Sequence, residues 1–178
     1  MEEPPLTELE KFRRIIIVIQ CAALNFGYFR GAKAMMRRTV DGNFLDIQRR
    51  IDNNFLDMGI IEFCKLFAER ESQHWSRVIN PDLHKEFENG LYKVVDIDRT
   101  AWKRYVDEFL SYRDKFLAHL DKNRVMKFPN LGLAIKALHY YAQFLRTQHP
   151  LSSSLEDSEF DVETLVSKSS RTAQKYLP

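Results

Sequence analysis

The sequence predicts an all-α protein, an antiparallel bundle of four long helices plus one or two short helices. Three observations predict this fold. Apolar residues recur at intervals of three and four almost throughout the chain, no stretch alternates with the period of two that is typical of strands, and capping residues, glycines and prolines divide the chain into four long segments. Four such helices with fairly short connections bury their apolar faces most simply against one another.

The first two long helices are predicted from their starting residues. Thr7 and Glu10 have the spacing of a capping box, so the first helix begins near Thr7 and its apolar positions continue towards Gly31. The second helix begins after the dipeptide DG, where Asn43 is a suitable cap. Its apolar line continues to about Glu71.

Capping residues, prolines and glycines in the second half of the chain predict the remaining elements. A short helix is predicted between Asn80 and Gly90, since asparagine caps a helix, Pro81 suits the first helical position and glycine suits the end. The third long helix lies within residues 98–121, DRTAWKRYVDEFLSYRDKFLAHLD. The fourth starts at Pro129 in PNLGLAIKALHYYAQFLRTQ.

Length and composition favour one helical domain with a tail. A chain of 178 residues with 44% hydrophobic residues is long enough for one sizeable core and short for two. We therefore expect a helical bundle over residues 1–150 and a serine-rich linker with a weak C-terminal helix over residues 151–178. The start of this tail, LSSSLEDSEF, offers little apolar surface, so we expect the tail to be dispensable for the core.

Charge and cysteine usage limit the cellular context. A net charge of +2 is too small to indicate a nucleic-acid partner by itself, so any basic effect must be local. Cys21 and Cys64 lack CxxC spacing, which favours reduced core thiols over a disulfide or a metal site. The run IIIVIQCAAL is too short to span a bilayer, and the acidic start is a poor signal peptide. We expect a cytoplasmic protein without membrane contact, cofactor or metal.

An arginine interrupts the apolar face of the predicted third helix. At ~100° per residue, Arg113 falls within roughly 40° of the line of apolar residues on that face. A buried, unpaired guanidinium costs several kcal/mol, so an anionic partner is expected. Glu62, which also interrupts an apolar line, and a ligand phosphate are the two candidates.

A histidine on the same helix raises a geometric problem. His119 lies about 120° around the helix from Arg113, so one straight helix does not easily direct both groups at one point. A break near Ala118 or a second copy of the chain would resolve this. Arg–His spacing alone is weak, because Arg77 and His84 also match it across Pro81, which would interrupt a helix there.

The complete sequence of the segment is more specific than the spacing between its arginine and its histidine. YRDKFLAHLD resembles the active-site motif of the HEPN superfamily, in which a polar residue follows an arginine directly and four to six residues separate that arginine from a histidine. The upstream segment FLDMGIIEFCKLFAERESQHW is similar to a helix of the abortive-infection branch. The resemblance covers roughly residues 7–147. It implies a helical bundle that often dimerises and, in many members, a metal-independent endoribonuclease acting as a toxin or antiviral effector, whereas other members have lost activity.

The resemblance assigns catalytic roles to three positions, Arg113, Asp114 and His119. Asp114 stands where asparagine is common, and a carboxylate there orients the imidazole but repels phosphate. Asp121 stands where one toxin branch carries a tyrosine that its antitoxin modifies, so that form of control is not expected here.

The chemistry of RNA cleavage suits these residue types. Histidine titrates near neutrality, so His119 is the candidate base for the ribose 2′-OH, and the planar guanidinium of Arg113 matches a phosphate that gains charge. Tyr112 would bond a phosphate oxygen or only pack, and packing is favoured. Basic residues suit a polyanion or, alternatively, a solvated helix end. The weak RNA-binding candidates after the motif are Lys122, Arg124 and Lys127, and the segment FRGAKAMMRR adds Arg30, Lys33, Arg37 and Arg38.

Three functions remain in competition on these grounds. The first is a HEPN-type endoribonuclease, a homodimer that acts on RNA and has a possible antitoxin protein as its partner. The second is a catalytically inactive HEPN-like bundle that binds a nucleotide or a partner protein through the same pocket. The third is a purely structural helical dimer in which Arg113 belongs to a satisfied ion pair.

Overall fold

The computed structural model describes residues 6–36, 42–118, 128–155 and 161–176. Helices account for most of these residues and no strand occurs among them, which confirms the all-α prediction. Short 3₁₀ turns cover residues 81–83 and 152–155, and a π-helix covers Arg113–Ala118. The α-helices are α1 (Glu8–Met36), α2 (Gly42–Phe67), α3 (Trp75–Val78), α4 (His84–Val95), α5 (Arg99–Tyr112), α6 (Leu131–Gln148) and α7 (Val162–Tyr176).

Helix α1 begins where its capping box predicts. The Thr7 backbone N–H donates to Glu10 Oε2 at 2.8 Å, and the Glu10 N–H donates back to Thr7 Oγ1 at 3.3 Å. Within the described residues, α1 from Glu8 to Met35 is the one helix long and apolar enough to cross a membrane. Its apolar part is thus longer than IIIVIQCAAL alone. The core helix of a soluble protein passes the same test, and 61% of the window is buried against the rest of the protein.

Aromatic packing joins α2 to α5. The Phe63 ring lies at the centre, 4.2 Å from the Phe109 ring and 6.3 Å from the Trp102 ring, measured between centroids. Phe67, one turn further along α2, lies 5.5 Å from Trp102 and 5.8 Å from Tyr141 of α6. Each such pair contributes about 0.5–1.5 kcal/mol beyond the apolar area that it buries. This cluster fixes the path of α5 along α2.

Five helix boundaries differ from the sequence prediction. Helix α2 starts at Gly42 instead of after an Asn43 cap, and α6 starts at Leu131, capped by Asn130, instead of at Pro129. The other three are C-terminal ends. Helix α2 ends at Phe67 instead of near Glu71, and the N–H groups of residues 68 and 69 both bond the Cys64 carbonyl at 2.9 Å. Helix α4 continues through Gly90, because this glycine admits the Tyr140 side chain instead of ending the helix. It ends at Val95, and the C-cap residue Asp96 has a left-handed φ of 57°. Helix α5 ends at Tyr112 and the chain continues as a π-helix, so the third long helix is not uniformly α-helical.

The C-terminal helix α7 packs directly on α1. Two glycines of α1 permit this close approach: a Cβ on Gly27 would lie 2.7 Å from the Val166 carbonyl oxygen, and one on Gly31 would lie 2.8 Å from Ala173 Cβ. The apolar side of α7 is buried in this contact, which differs from the expectation of a dispensable tail. The composition of the tail gives too little weight to this contact, because its small residues bury backbone atoms as well as side chains. The buried residues of α7 are Val162, Val166, Ser169 and Ala173.

Buried His74 connects the end of α2 to α3. Its side chain is 6% exposed, and Nδ1 accepts hydrogen bonds from the Ser76 N–H at 3.2 Å and the Ser76 hydroxyl at 2.7 Å. Its Nε2 lies 3.3 Å from the Phe67 carbonyl oxygen and is the donor in that pair. Burial lowers the pKa of His74 to about 4, because a charged ring here would lose its hydration.

We predict that Gly31→Ala weakens the docking of α7. Alanine favours an isolated helix over glycine by about 1 kcal/mol, but here its Cβ meets the backbone of α7, and such overpacking costs about 1–3 kcal/mol. Thermal melts should show a lower Tm, and limited proteolysis should cut faster between α6 and α7. In a chain ending at residue 155 the same substitution should leave Tm unchanged or raise it. A higher Tm for the substituted full-length chain would contradict this contact.

We predict that the protein loses stability in acid through His74. The folded pKa of about 4 is below the unfolded value of about 6.5, so the unfolded chain binds the proton first and stability declines as pH falls from 6.5 to 4. This group contributes up to about 3 kcal/mol over that range. Urea melts of His74→Asn, which keeps a capping acceptor, should show a shallower decline than the parent protein. Parallel curves for the two proteins would rule out this role.

Candidate functional site

The motif arginine lies where α5 changes into the π-helix. Asp98 caps α5 by accepting from the Ala101 N–H at 2.8 Å, and the helix ends one residue before Arg113. Short π-helical segments are rare and occur frequently at functional sites. Because the π segment no longer follows ~100° per residue, the helical arithmetic that relates Arg113 to His119 does not apply beyond Tyr112.

Arg113 is ion-paired and partly exposed. Its Nη1 forms an ion pair with Glu69 Oε1, while Nη2 and Nε donate to Asp114 Oδ1 at 2.8 and 2.9 Å. The side chain is 25% exposed, so it is not fully buried as the apolar stripe predicts. The prediction that Glu62 is a candidate partner of Arg113 is wrong, because both carboxylate oxygens of Glu62 accept from Lys65 Nζ at 3.0 Å. The predicted anionic partner exists, but it comes from the segment after α2.

Asp114 faces the arginine in this structure. Its side chain is 60% exposed and accepts both hydrogen bonds from the neighbouring guanidinium through one oxygen. The second carboxylate oxygen has no bond of this kind to Arg113. A carboxylate held in this way orients the guanidinium, which is a different task from the orientation of an imidazole that the resemblance implies.

Tyr112 lies inside the protein beside this pair. It is 2% exposed, and its hydroxyl donates to Asp57 Oδ1 at 2.9 Å. Burial raises the pKa of the Tyr112 hydroxyl and also that of the Asp57 carboxyl. This hydrogen bond connects the last turn of α5 to the middle of α2.

The buried thiol of Cys64 lies next to Arg113. Burial raises the pKa of Cys64 to about 12, so the thiol stays protonated at neutral pH despite the nearby guanidinium. Cys21 is also a free thiol, and burial raises its pKa. Among the residues that the structure describes, no group of three His, Cys, Asp or Glu side chains could hold a metal ion.

The other predicted site residues lie outside the described part of the chain. These are His119, Lys122, Arg124 and Lys127, together with Arg37 and Arg38 of the upstream basic segment. The convergence of Arg113 and His119 on one cleft therefore stays a prediction.

Sequence reasoning missed two carboxylates that contact the motif. Glu69 lies just beyond the end of α2, where the prediction still placed helix, and Asp57 lies one turn from apolar positions of α2. The segment AERES, with two glutamates beside an arginine, was the available signal for an exposed, charged helix end. Its position opposite Arg113 depends on the fold.

Comparison with protein-family models, curated proteins and solved structures gives no match to this chain.

We predict that Arg113 is energetically coupled to Glu69 and not to Glu62. A double-mutant cycle with Arg113→Ala and Glu69→Gln should give a coupling of about 0.5–1 kcal/mol, because the pair is partly exposed and screened by solvent. Urea melts of the four proteins at two salt concentrations measure this coupling energy and its screening by salt. The matched cycle with Glu62→Gln should give a coupling near zero, since Glu62 binds Lys65. A loss of roughly 3–5 kcal/mol on Arg113→Ala would instead indicate a deeply buried pair.

Proposed function

We propose that this protein is a metal-independent endoribonuclease of the HEPN type and acts as a toxin or antiviral-defence component. The observation that carries the proposal is the state of Arg113. Its guanidinium lies at the α-to-π junction, partly exposed and held by two carboxylates. An arginine in this setting can exchange a carboxylate for a phosphate of the same charge sign, with two parallel hydrogen bonds. The motif supplies the remaining support.

The proposed reaction uses the chain's own side chains. His119 removes the proton from the ribose 2′-OH, and the resulting oxygen attacks the adjacent phosphorus. The bond from phosphorus to the 5′-oxygen breaks, that oxygen takes up a proton, and the products carry a 2′,3′-cyclic phosphate and a 5′-hydroxyl. Arg113 stabilises the charge that accumulates on the phosphate oxygens. Asp114 positions the guanidinium.

The assembly belongs to the same proposal. In this proposal the segments predicted as four long helices, α1, α2, α5 with its π-helical continuation, and α6, pack as an antiparallel bundle, and two copies meet about a twofold axis with their motifs lining one cleft. RNA enters that cleft, and an antitoxin protein that covers it would neutralise the chain in the cytoplasm. A second copy removes the need for one helix to direct both groups inward.

One observation favours a second candidate, an inactive HEPN-like bundle that binds a nucleotide or a partner protein. Glu69 and Asp114 already compensate the charge of Arg113 within one chain. An arginine satisfied in this way needs no phosphate, and its removal would loosen the junction between α2 and the π segment. The two candidates differ in whether RNA is cut.

We predict RNA cleavage that persists in EDTA and depends on His119. His119→Ala should lower the cleavage rate by about 10²- to 10⁴-fold, since that is the usual contribution of general-base catalysis. Gel analysis of a labelled single-stranded RNA should show fragments that end in a 2′,3′-cyclic phosphate. The matched control is His84→Asn, at the other Arg–His spacing in the chain, which should leave cleavage unchanged.

Several outcomes separate the candidates. Undiminished cleavage by His119→Ala would remove this histidine from the mechanism, and a requirement for magnesium would exclude the proposed chemistry. A folded parent protein that cuts no RNA but binds a nucleotide would support the inactive bundle. Thermal melts of every variant distinguish lost chemistry from lost folding.

A further inference from the structure

A groove lies between the last turns of α1 and the start of α6. It encloses about 770 Å³ and is lined on one side by Phe29, Arg30 and Lys33, and on the other by residues 128–132. We propose that this groove binds a short segment of single-stranded RNA, with phosphates at Arg30 and Lys33 and a base against Phe128. The proposal names the strand-binding surface of the proposed nuclease and rests on that function, but binding can be measured without cleavage.

The charge of the groove is of one sign. Arg30 and Lys33 are both exposed, and neither forms an ion pair with a carboxylate of the described residues. Among the described residues that line the groove, none is acidic. The sequence of α1 explains this, since no acid occurs between Glu10 and Asp41. Two exposed cations that pair with no carboxylate in the described ranges attract phosphates and make binding depend on salt.

An aromatic ring lies directly beside these cations. Phe128 is 37% exposed, and its ring packs edge-on against the buried Phe29 with the centroids 5.4 Å apart. Lys33 Nζ lies 4.3 Å from the Phe128 centroid and 5.1 Å from the Phe29 centroid, so cation–π attraction holds the ammonium at the ring. Adjacent cationic and aromatic groups are the two components of surfaces that bind single strands, where bases stack and the backbone is neutralised.

The α6 side of the groove is held in place by hydrogen bonds. The Asn130 carbonyl oxygen accepts from the Tyr105 hydroxyl at 2.6 Å, and the Asn130 side-chain oxygen accepts from the Gly132 N–H at 2.9 Å. The first bond connects the start of α6 to α5, and the second caps α6. A wall fixed in this way loses little conformational entropy when a strand binds.

An aromatic contact joins α1 to α5 one helical turn before Arg30 and Arg113. The rings of Phe26 and Phe109 are in contact, with centroids 6.5 Å apart. Arg30 follows Phe26 by four residues on α1, and Arg113 follows Phe109 by four residues at the end of α5. The proposed nuclease therefore requires the bound strand to extend from the groove to this arginine.

The test is a binding measurement with a probe that the proposed reaction cannot cut. Fluorescence anisotropy with a labelled 2′-O-methyl oligouridine and the full chain should show saturable binding. Arg30→Gln with Lys33→Gln should weaken binding about tenfold and reduce the slope of log Kd against log salt by about 1.4, the value for two phosphate contacts on a single strand. The matched control changes the same charge at exposed Arg13 and Arg14, at the opposite end of α1, and should leave both quantities unchanged.

The aromatic contact is tested by two substitutions at Phe128, one that removes the aromatic ring but stays apolar and one that keeps the ring. Phe128→Leu should weaken binding about 5- to 100-fold, the range for loss of one stacked base, whereas Phe128→Tyr should bind like the parent. Heparin, which has charge but no bases, should compete less well against the parent than an equal charge of oligouridine. Equal competition, or equal binding by the leucine and tyrosine variants, would overturn the stacking role.

The outcomes separate the groove from the proposed activity. If the protein cleaves RNA but the groove substitutions do not change its RNA affinity, the proposed binding site is wrong and the proposed nuclease activity stands. Binding that depends on the groove without any cleavage supports the groove and contradicts the nuclease. If the Arg13/Arg14 and Arg30/Lys33 substitutions weaken binding equally, RNA is attracted by the net charge of the protein and not by the groove. That result would overturn the proposed binding site.

Discussion

The contact between the aromatic rings of α2 and α5 is the constraint on which the rest of this structure depends. Phe63 packs against Phe109 at 4.2 Å and its neighbour Phe67 packs against Trp102, so α5 has one register along α2. That register decides which groups meet beyond the last ring: the Tyr112 hydroxyl reaches Asp57 on α2. The charged groups at the end of α5 are thus placed by an apolar cluster that lies next to them in sequence.

The ion pairs at Arg113 give that junction two properties at once. Two carboxylates satisfy the guanidinium, so its partial burial costs little stability. The same carboxylates compete with any anion that approaches. A phosphate ligand therefore has to displace one of them, and its net affinity is the difference between two similar charge-assisted interactions. A site of this kind discriminates by geometry more than by charge, because only a ligand with well-placed oxygens improves on the acids already present.

Local signals in the sequence were sufficient for the helical class and for several helix starts. The capping box at Thr7 and the Asn80 cap are contacts between residues two or three apart, so spacing alone identifies them. Features that depend on distant residues were missed or misplaced. Gly90 does not end α4, because Tyr140 occupies the space that its missing side chain leaves. The partner of Arg113 was misassigned for the same reason, since the position of Glu69 depends on where α2 stops.

The packing of α7 on α1 also has a consequence for how the chain reaches its native state. Residues 8–36 form the longest helix of the described ranges, yet part of its surface is covered by residues 162–176, which are synthesised long after it. During translation the glycine face of α1 has no cover, and the contact that closes it is among the most non-local in the fold. Folding of such contacts is slow, because a long loop must be ordered before the contact contributes stability. We therefore expect a nascent chain whose α1 has left the ribosome to bind chaperones until α7 has been synthesised and has docked.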